Sequence, residues 1–218
     1  MKQRINAIIP AGGTSSRFGN TNKLLEKIND KEVIKYTIDA FAASDIDEII
    51  ICANITIIDY LKEIFKNYEK VKIIEGGNTR QASVFNGLKC ANCDYVLIHD
   101  GARPMITTDL INSAIDLVKT KKALTVATKT IDTIKEVVDG KIIRTIDRSK
   151  LYNTQTPQAF EYELIKKAHE KLIGENFTDD AGMLEYLGYN VYILNGSYKN
   201  IKITTQNDID IAKIYLQS

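Results

Sequence analysis

The chain lacks several features that would place it in particular protein classes. It has no tryptophan, three cysteines and two histidines, and no apolar run approaches the roughly 20 residues of a membrane-spanning helix. The N-terminus lacks the basic and apolar segments of a secretory signal. These absences predict a cytoplasmic protein with no membrane partner.

An excess of charge of either sign is also missing. The 218 residues include 29 basic and 28 acidic side chains, for a formal net charge of +1. General nucleic-acid or membrane-surface binding is disfavoured, because both partners are anionic and need an excess of lysine and arginine. A local basic pocket remains compatible with this balance.

The cysteines do not indicate a disulfide framework or a metal centre. Cys90 and Cys93 match C-x-x-C, a spacing found in redox and zinc sites. There is no second such pair, and only His99 and His169 could complete a metal site. We therefore interpret the cysteines as small structural residues.

Apolar runs alternate with segments of helical periodicity. The predicted strands are 5–10, 48–53, 71–75, 95–99, 123–127 and 190–194, and apolar residues at helical spacing lie between them and after Tyr162, Thr178 and Thr204. This alternation predicts an α/β fold with a mostly parallel sheet and helices on both faces. Loops 11–23, 76–80 and 100–104 follow strand ends and should share one edge of the sheet, where such folds bind ligands.

Residues 130–148 interrupt the alternation. Ile131–Val138 and Lys141–Asp147 are β-rich and flank Asp139-Gly140, a strong hairpin signal. An isolated hairpin is marginally stable, so it should pair with the same arm of a second subunit or, alternatively, fold onto its own domain. No repeat or linker is found, and we predict one domain, 1–218, with 130–148 as a dimerisation arm.

The first loop suits the binding of phosphate groups. Gly12 and Gly13 follow an apolar strand, and Arg17 and Lys23 lie just beyond. Glycine backbone can approach an anion closely, and two cations would stabilise a leaving pyrophosphate. The alternative is a pair of solvated surface charges. Neither the Walker pattern nor GxGxxG is present.

The other two loops carry further candidates. Gly76 and Gly77 would let a flat base lie on the backbone, or they form a plain turn. Asp100 could hold Mg²⁺ against phosphate oxygens and Arg103 could clamp a phosphate, unless the two form a surface ion pair. We expect His99 to be packed and hydrogen-bonded.

The motifs together resemble a known family along almost the whole chain. In order they are AGG-x3-R…K, GGNTRQASVFNGL, HDGARP, DTIK, QTPQAF, TDD and NIKIT. This set is similar to that of the 2-C-methyl-D-erythritol 4-phosphate cytidylyltransferases and of their relatives, the ribitol- and pentitol-phosphate cytidylyltransferases. The resemblance implies an α/β, Rossmann-like three-layer nucleotidyltransferase fold with a protruding β-hairpin arm, a homodimer built through that arm, and Mg²⁺-dependent transfer of a cytidylyl group from CTP to a polyol phosphate.

The resemblance also implies roles for individual residues. Catalytic roles are expected for Arg17, Lys23 and Lys202. The nucleotide would be bound by Ala11, Gly12, Gly13, Gly76, Gly77, Asn78, Ser83 and Gly101. The sugar phosphate would be bound by Arg103, Thr133, Arg148, Thr178 and Thr204, with Thr133 and Arg148 reaching the acceptor of the neighbouring subunit. Asp100 would bind Mg²⁺.

The chain departs from the family pattern near the expected triphosphate. The usual A-A-G-x-G-x-R and D-A-A-R-P become A-G-G-T-S-S-R and D-G-A-R-P, with changes at Gly12, Ser15 and Gly101. Ala102 agrees with the methylerythritol branch, since the ribitol branch often carries valine there. The alternatives are a ribitol-5-phosphate cytidylyltransferase, a nucleotide-binding protein without catalysis, and a dinucleotide-dependent oxidoreductase, for which the glycine fingerprint is missing.

Overall fold

The computed structural model describes residues 2–13, 18 and 22–217. In chain order, the strands are β1 (Ile5–Ala11), β2 (Lys27–Ile28), β3 (Lys31–Glu32), β4 (Glu48–Ala53), β5 (Val71–Glu75), β6 (Tyr95–Ile98), β7 (Ala123–Lys129), β8 (Ile134–Val138), β9 (Lys141–Ile146), β10 (Tyr152–Glu161) and β11 (Tyr192–Asn195). The helices are α1 (Val33–Ala42), α2 (Ile58–Ile64), α3 (Arg80–Cys90), α4 (Thr108–Lys121), α5 (Tyr162–Lys171), α6 (Asp180–Tyr186) and α7 (Gln206–Gln217).

A seven-stranded sheet forms the centre, in the order β11-β7-β10-β6-β1-β4-β5. Neighbouring strands are parallel except for β10, which runs antiparallel to both β6 and β7. The predicted α/β fold with a mostly parallel sheet is confirmed. The carboxyl ends of β1, β5 and β6 lie at one edge of this sheet, so the loops after them are neighbours.

The sheet is covered on both faces. Adjacent residues of β1, Ile8 and Ile9, are both fully buried and belong to different apolar clusters, one on each side of the sheet. One cluster includes α1, through Ile34, Ile38 and Phe41, and the other includes α5, α6 and part of α3. Burial on both faces explains why β1 is continuously apolar rather than alternating.

Strand β10 is the longest element that sequence analysis missed, and the two-residue strands β2 and β3 were missed as well. Its pairing with β7 shifts register between Thr154 and Gln158, around Pro157, and such a bulge is one of the few places where a strand accepts proline. The peptide bond before Pro157 is cis. The strand brings the polar segment 154–158 to the centre of the sheet.

The predicted hairpin is present and stands apart from the central sheet. Strands β8 and β9 pair only with each other among the described residues, and Asp139 and Gly140 have φ values of 49° and 76°, as a tight hairpin turn requires. Val137, Val138, Ile142 and Ile143 are each more than half exposed. The arm therefore presents apolar side chains that the described part of the chain leaves exposed.

The helices of the described ranges are all too short or too polar to cross a bilayer.

Of the C-x-x-C pair, Cys90 is exposed and Cys93 is half-buried, and burial raises the pKa of the Cys93 thiol to about 12. A thiol with so high a pKa is a poor nucleophile and a poor metal ligand.

Candidate active site

The three loops meet at a cavity of about 140 Å³ at the carboxyl edge of the sheet. Its lining comprises Pro10, Ala11, Gly12, Gly13, Lys23, Leu24, Arg80, Asp100, Gly101, Ala102 and Lys202. Seven of these belong to the predicted site, and their convergence supports the expectation that the loops share one edge. Arg17 and Ser15 lie outside the described residues.

The first loop lies directly against the glycine pair of the second. A Cβ atom placed on Gly12 would lie 2.7 Å from the hydroxyl oxygen of Ser83 and 3.2 Å from the carbonyl oxygen of Gly77. Asn54 donates a hydrogen bond from its amide nitrogen to the Gly12 carbonyl at 3.1 Å. The backbones of the first and second loops are therefore in close contact beside the cavity.

Ser83 stabilises the second loop through hydrogen bonds to its backbone. Its buried hydroxyl accepts a hydrogen bond from the Gly77 amide at 3.0 Å and donates to the Thr79 carbonyl at 2.9 Å. The Thr79 side chain caps α3 by accepting from the amide of Ala82. Asn78 is exposed at the tip of the loop. The serine thus holds the loop in shape without lining the cavity itself.

Asp100, just after β6, is the electrostatic centre of the site. Its carboxylate is buried and lies 3.1 Å from Nε of Arg80, 2.8 Å from Nζ of Lys202 and 3.7 Å from Nε of Arg103. Burial alone would raise the pKa of Asp100, but these three cations lower it well below its usual range. Asp100 is therefore ionised throughout the physiological range.

Lys202 reaches Asp100 from an irregular C-terminal segment. That segment is held against the loop after β6, because Ile203 donates its amide to the Ala102 carbonyl at 2.8 Å and Arg103 donates from Nη1 to the Asn200 carbonyl at 2.8 Å. The Lys202 side chain is 38% exposed, so its amine is accessible from the cavity. The sequence prediction brought Asp100, Arg103 and Lys202 to one site, and the structure places them in contact.

His99 and Thr156 attach β10 to this centre. Burial lowers the pKa of the fully buried His99 to about 3, so the ring is neutral. The Thr156 hydroxyl lies 3.0 Å from Nδ1 of His99 and accepts from the Asp100 amide at 3.1 Å, and Nε2 faces the Arg103 carbonyl at 3.4 Å. His99 is packed and hydrogen-bonded, as expected, and it orients the Asp100 loop.

A second cavity, of about 260 Å³, adjoins the first. It is lined by Arg80, Asp100, Arg103, Thr154, Gln155, Thr156, Gln158, Thr178, Asp179 and Lys202. Arg80, Asp100 and Lys202 line both cavities. Two adjoining cavities that share one carboxylate and two cations could hold two anionic ligands with their charged ends together.

Seven predicted residues line neither cavity. Gly76, Gly77, Asn78 and Ser83 belong to the second loop and the helix after it, and the other three lie elsewhere in this chain. Thr133 and Arg148 are exposed on the arm and at its base, and Arg148 donates a hydrogen bond to the Ile131 carbonyl. Thr204 donates its amide and its hydroxyl to Asp208, both at 2.8 Å, at the start of α7. None of the three lines either cavity.

Arg80 is the site residue that sequence analysis missed. It begins α3 and also donates from Nη1 to Asp180 at 2.7 Å. Burial opposes its charge, but Asp180 and Asp100 raise the pKa of Arg80 above its usual value. One signal was available: a cation in the first turn of a helix opposes the helix dipole, and so needs nearby anions to compensate.

The residues fit a magnesium ion held mainly by substrate. No group of three or more His, Cys, Asp and Glu side chains in the described ranges is placed to hold a metal. Mg²⁺ at phosphate-transfer sites is commonly bound through one or two carboxylates together with substrate phosphates. Asp100 is an ionised carboxylate that lines both cavities, which suits that mode of binding.

Comparison with known proteins gives a consistent result. Residues 5–218 match the family model described as IspD, 2-C-methyl-D-erythritol 4-phosphate cytidylyltransferase. The chain is 44% identical over 217 residues to the enzyme of that name from Clostridioides difficile (strain 630), covering 95% of this chain and 92% of that protein. It is 42% identical over 220 residues to the one from Clostridium tetani (strain Massachusetts / E88), covering 97% and 89%.

Solved structures agree with the sequence comparisons. The crystal structure of 4-diphosphocytidyl-2C-methyl-D-erythritol synthase from Anaerococcus prevotii DSM 20548 superposes with a TM-score of 0.89 at 35% identity, covering 99% of this chain and 97% of that one. The crystal structure of 2-C-methyl-D-erythritol 4-phosphate cytidylyltransferase from Thermus thermophilus superposes with a TM-score of 0.81 at 26% identity, covering 97% and 98%.

Proposed function

The chain belongs to the 2-C-methyl-D-erythritol 4-phosphate cytidylyltransferase family, and from this we propose that it transfers the cytidylyl group of CTP to 2-C-methyl-D-erythritol 4-phosphate. The products are pyrophosphate and 4-diphosphocytidyl-2-C-methyl-D-erythritol, an intermediate of non-mevalonate isoprenoid biosynthesis. The observation that carries the proposal is the pair of cavities sharing Arg80, Asp100 and Lys202, because joining two phosphates requires both substrates to reach one point.

CTP is assigned to the first cavity. The backbone of Ala11, Gly12 and Gly13 and the amine of Lys23 would hold the triphosphate, with Arg17 as a second cation. Glycine backbone and lysine are suited to this role, since amide groups and a compact charge can both approach phosphate oxygens. The cytidine would lie along the second loop and the neighbouring backbone, at Gly76, Gly77, Asn78 and Gly101, with Ser83 supporting the loop.

The sugar phosphate is assigned to the second cavity. Arg103 and Thr178 line this cavity beside Lys202, and they offer a guanidinium and a hydroxyl to a phosphorylated polyol. We propose that Thr133 and Arg148 act across a homodimer, where the arm of one subunit reaches the acceptor of the other. The exposed apolar side chains of the arm support this pairing. Thr204 would act indirectly, by fixing the segment that carries Lys202.

The chemistry would be an in-line displacement. An oxygen of the acceptor phosphate attacks the α-phosphorus of CTP, a new P–O bond forms, and the bond to the bridging oxygen of the β-phosphate breaks to release pyrophosphate. The attacking oxygen is already anionic, so no general base is required and positioning dominates. Lys23 and Arg17 would stabilise charge on the leaving pyrophosphate, and Lys202 would orient the incoming phosphate.

We assign the metal position to Asp100. When bound there, Mg²⁺ would neutralise charge on the phosphate oxygens and lower the barrier to attack. The protein's part is to keep this carboxylate ionised and fixed. Arg80, Arg103 and Lys202 provide the charge, and Thr156 fixes the Asp100 backbone.

One assay separates the candidate functions. Purified protein is incubated with CTP and Mg²⁺, with either methylerythritol phosphate or ribitol 5-phosphate, and pyrophosphate is measured. Release with methylerythritol phosphate is expected. Release with ribitol 5-phosphate alone would assign the other acceptor, and binding of CTP without release would indicate a non-catalytic protein. Lys23→Ala should lower the rate by on the order of 10²–10³, and a near-normal rate in this variant would refute the assigned role of Lys23.

A further inference from the structure

Arg80 occupies the junction between the two cavities, and its position is fixed by two carboxylates. Nε lies 3.1 Å from Asp100 and Nη1 lies 2.7 Å from Asp180. The guanidinium is planar and its donors have a fixed geometry, so two contacts on different edges determine where the group lies. Any substrate phosphate at the junction would meet a cation in a set orientation.

Asp180 can hold Arg80 only while its own second oxygen is satisfied. The carboxylate is buried at 1% exposure, with Oδ2 on Arg80 and Oδ1 3.0 Å from Nε2 of His169. The Asp180 amide donates to the side-chain oxygen of Gln158 at 3.0 Å, which fixes the backbone. A buried carboxylate oxygen without a donor is costly, so loss of the histidine would favour rotation of Asp180.

His169 lies on α5 and lines neither substrate cavity. The residue is 2% exposed, and its ring stacks on Phe85 with ring centroids 5.8 Å apart and planes 11° apart. Because ionised Asp180 can only accept hydrogen bonds, Nε2 of His169 must carry the donated proton. The stacking fixes the plane of the ring, so the direction of that donor is fixed as well.

We infer that His169 is a positioning residue, which holds Arg80 at the junction of the two substrate cavities by means of Asp180; this inference rests on the proposed function. The series His169–Asp180–Arg80–Asp100 joins α5 to the loop after β6 by consecutive contacts of 3.0, 2.7 and 3.1 Å. His169 therefore acts on substrates that it does not touch.

The test compares three single variants at a temperature where all are folded. His169→Leu removes the donor, and His169→Gln restores an N–H where Nε2 lies. Tyr162→Phe is the matched control, because it deletes a buried hydroxyl on the same helix that donates to the Leu88 and Ala91 carbonyls at 2.9 and 3.1 Å. It lowers stability without touching the series.

We expect His169→Leu to lower kcat/KM about tenfold for CTP and for the sugar phosphate alike, since Arg80 lines both cavities and small displacements of a positioned group are costly. His169→Gln should recover most of that loss, and Tyr162→Phe should keep the wild-type value. Equal kinetics for His169→Leu and Tyr162→Phe, or no recovery in His169→Gln, would overturn the inference.

Two further measurements test the inference. The first tests whether His169 acts by means of Asp180, and the second does not depend on the proposed function. If His169 acts by means of Asp180, the effects of His169→Leu and Asp180→Asn on kcat/KM should be strongly non-additive; additive effects would contradict it. If the wild type releases no pyrophosphate with either acceptor, the proposed function fails. The positioning role is then judged by calorimetry with inorganic pyrophosphate, where His169→Leu should bind several-fold more weakly than Tyr162→Phe and equal affinity would refute it.

Discussion

Nζ of Lys202 lies 2.8 Å from Oδ2 of Asp100, so a cation from the C-terminal segment faces the carboxylate that follows β6. The lysine is more than a third exposed whereas the aspartate is buried. In this structure the amine neutralises Asp100. Under the proposed function it would turn toward a phosphate oxygen while Arg80 and Arg103 keep the carboxylate paired. The pair is therefore suited to exchange one anion for another.

Lys202→Ala should reduce pyrophosphate release by on the order of 10²–10³, because one cation near the developing charge is lost. The unfolding midpoint should change little, since Asp100 retains two guanidinium partners. Lys213→Ala is the control, as Lys213 lies on α7 and pairs with Asp210 at 3.1 Å. A Lys202→Ala enzyme as active as the Lys213→Ala enzyme would contradict the assigned role.

Asp100→Asn should lower both the free energy of unfolding and the rate of pyrophosphate release. Removing the buried carboxylate leaves Arg103 without its anion and Arg80 with Asp180 alone, and loss of one partner of a buried pair costs about 3–5 kcal/mol. Urea unfolding measures this loss. The matched Asp116→Asn, at a surface pair with Lys119, should cost under about 1 kcal/mol. Equal losses in the two variants would show that Asp100 is not paired as described.

Turnover by Asp100→Asn should also stay low at raised Mg²⁺ concentrations, and chelation of Mg²⁺ should abolish turnover by the wild type. Pyrophosphate release over a magnesium titration measures both effects. A variant that is half-saturated at the same Mg²⁺ concentration as the wild type would move the metal ligand away from Asp100.

Protein stability should fall with acid because of His99. Its pKa is about 3 in the folded chain and about 6.5 in the unfolded chain, so between these values the unfolded state binds the extra proton. Stability from this group is complete above pH 6.5 and declines as pH falls toward 3, with a slope of up to about 1.4 kcal/mol per pH unit.

Between pH 6 and pH 4, His99→Asn should lower the slope of stability against pH by the amount that corresponds to the uptake of about one proton. Its amide oxygen can still accept from Thr156, although the variant should be less stable than the wild type at pH 7. Urea unfolding at several pH values measures the slope. An unchanged slope would mean that His99 is not held neutral in the fold.

The exposed apolar side chains of the arm predict an oligomer. Val137 and Ile142 are cross-strand partners and are 51% and 58% exposed. Ile142→Asp should convert a dimer to a monomer in analytical ultracentrifugation, because a charge would be buried in the interface. Ile214→Asp changes an equally exposed isoleucine on α7 and should leave the dimer intact. A wild-type monomer would refute the proposed role of the arm.

Local patterns were sufficient to predict most of the fold. The buried strands β1, β4 and β6 are short continuous apolar runs. Recognisable loops follow β1, β5 and β6, so the edge that these loops share could be predicted from the sequence. Asp100 could be selected because it lies just beyond the end of β6, and Lys23 because it lies in the loop that follows β1. Asp179 caps α6 by accepting from the Gly182 amide three residues later, and an aspartate just before an apolar helical pattern is a recognised N-cap signal.

What could not be predicted depends on distant pairs. Arg80 and Asp180 are 100 residues apart, and neither residue's own surroundings in sequence reveal the other. Strand β10 was missed because its central residues are polar and include Pro157, whereas its burial comes from β6 and β7 on either side. Thr204 was assigned to the substrate, but the nearby Asp208 takes its amide and hydroxyl.

The central position of β10 in the sheet has a consequence for how the chain folds while it is being synthesised on the ribosome. Strands β1, β4, β5 and β6 can assemble only after residue 98 has emerged from the ribosome, and one edge of β6 then stays open until Tyr152–Glu161 emerges and inserts between β6 and β7. Open strand edges invite pairing with other chains. The nascent protein must therefore pass through a stage with an exposed edge in the middle of its future sheet, and the Thr156 contact to the Asp100 loop forms only when that edge closes.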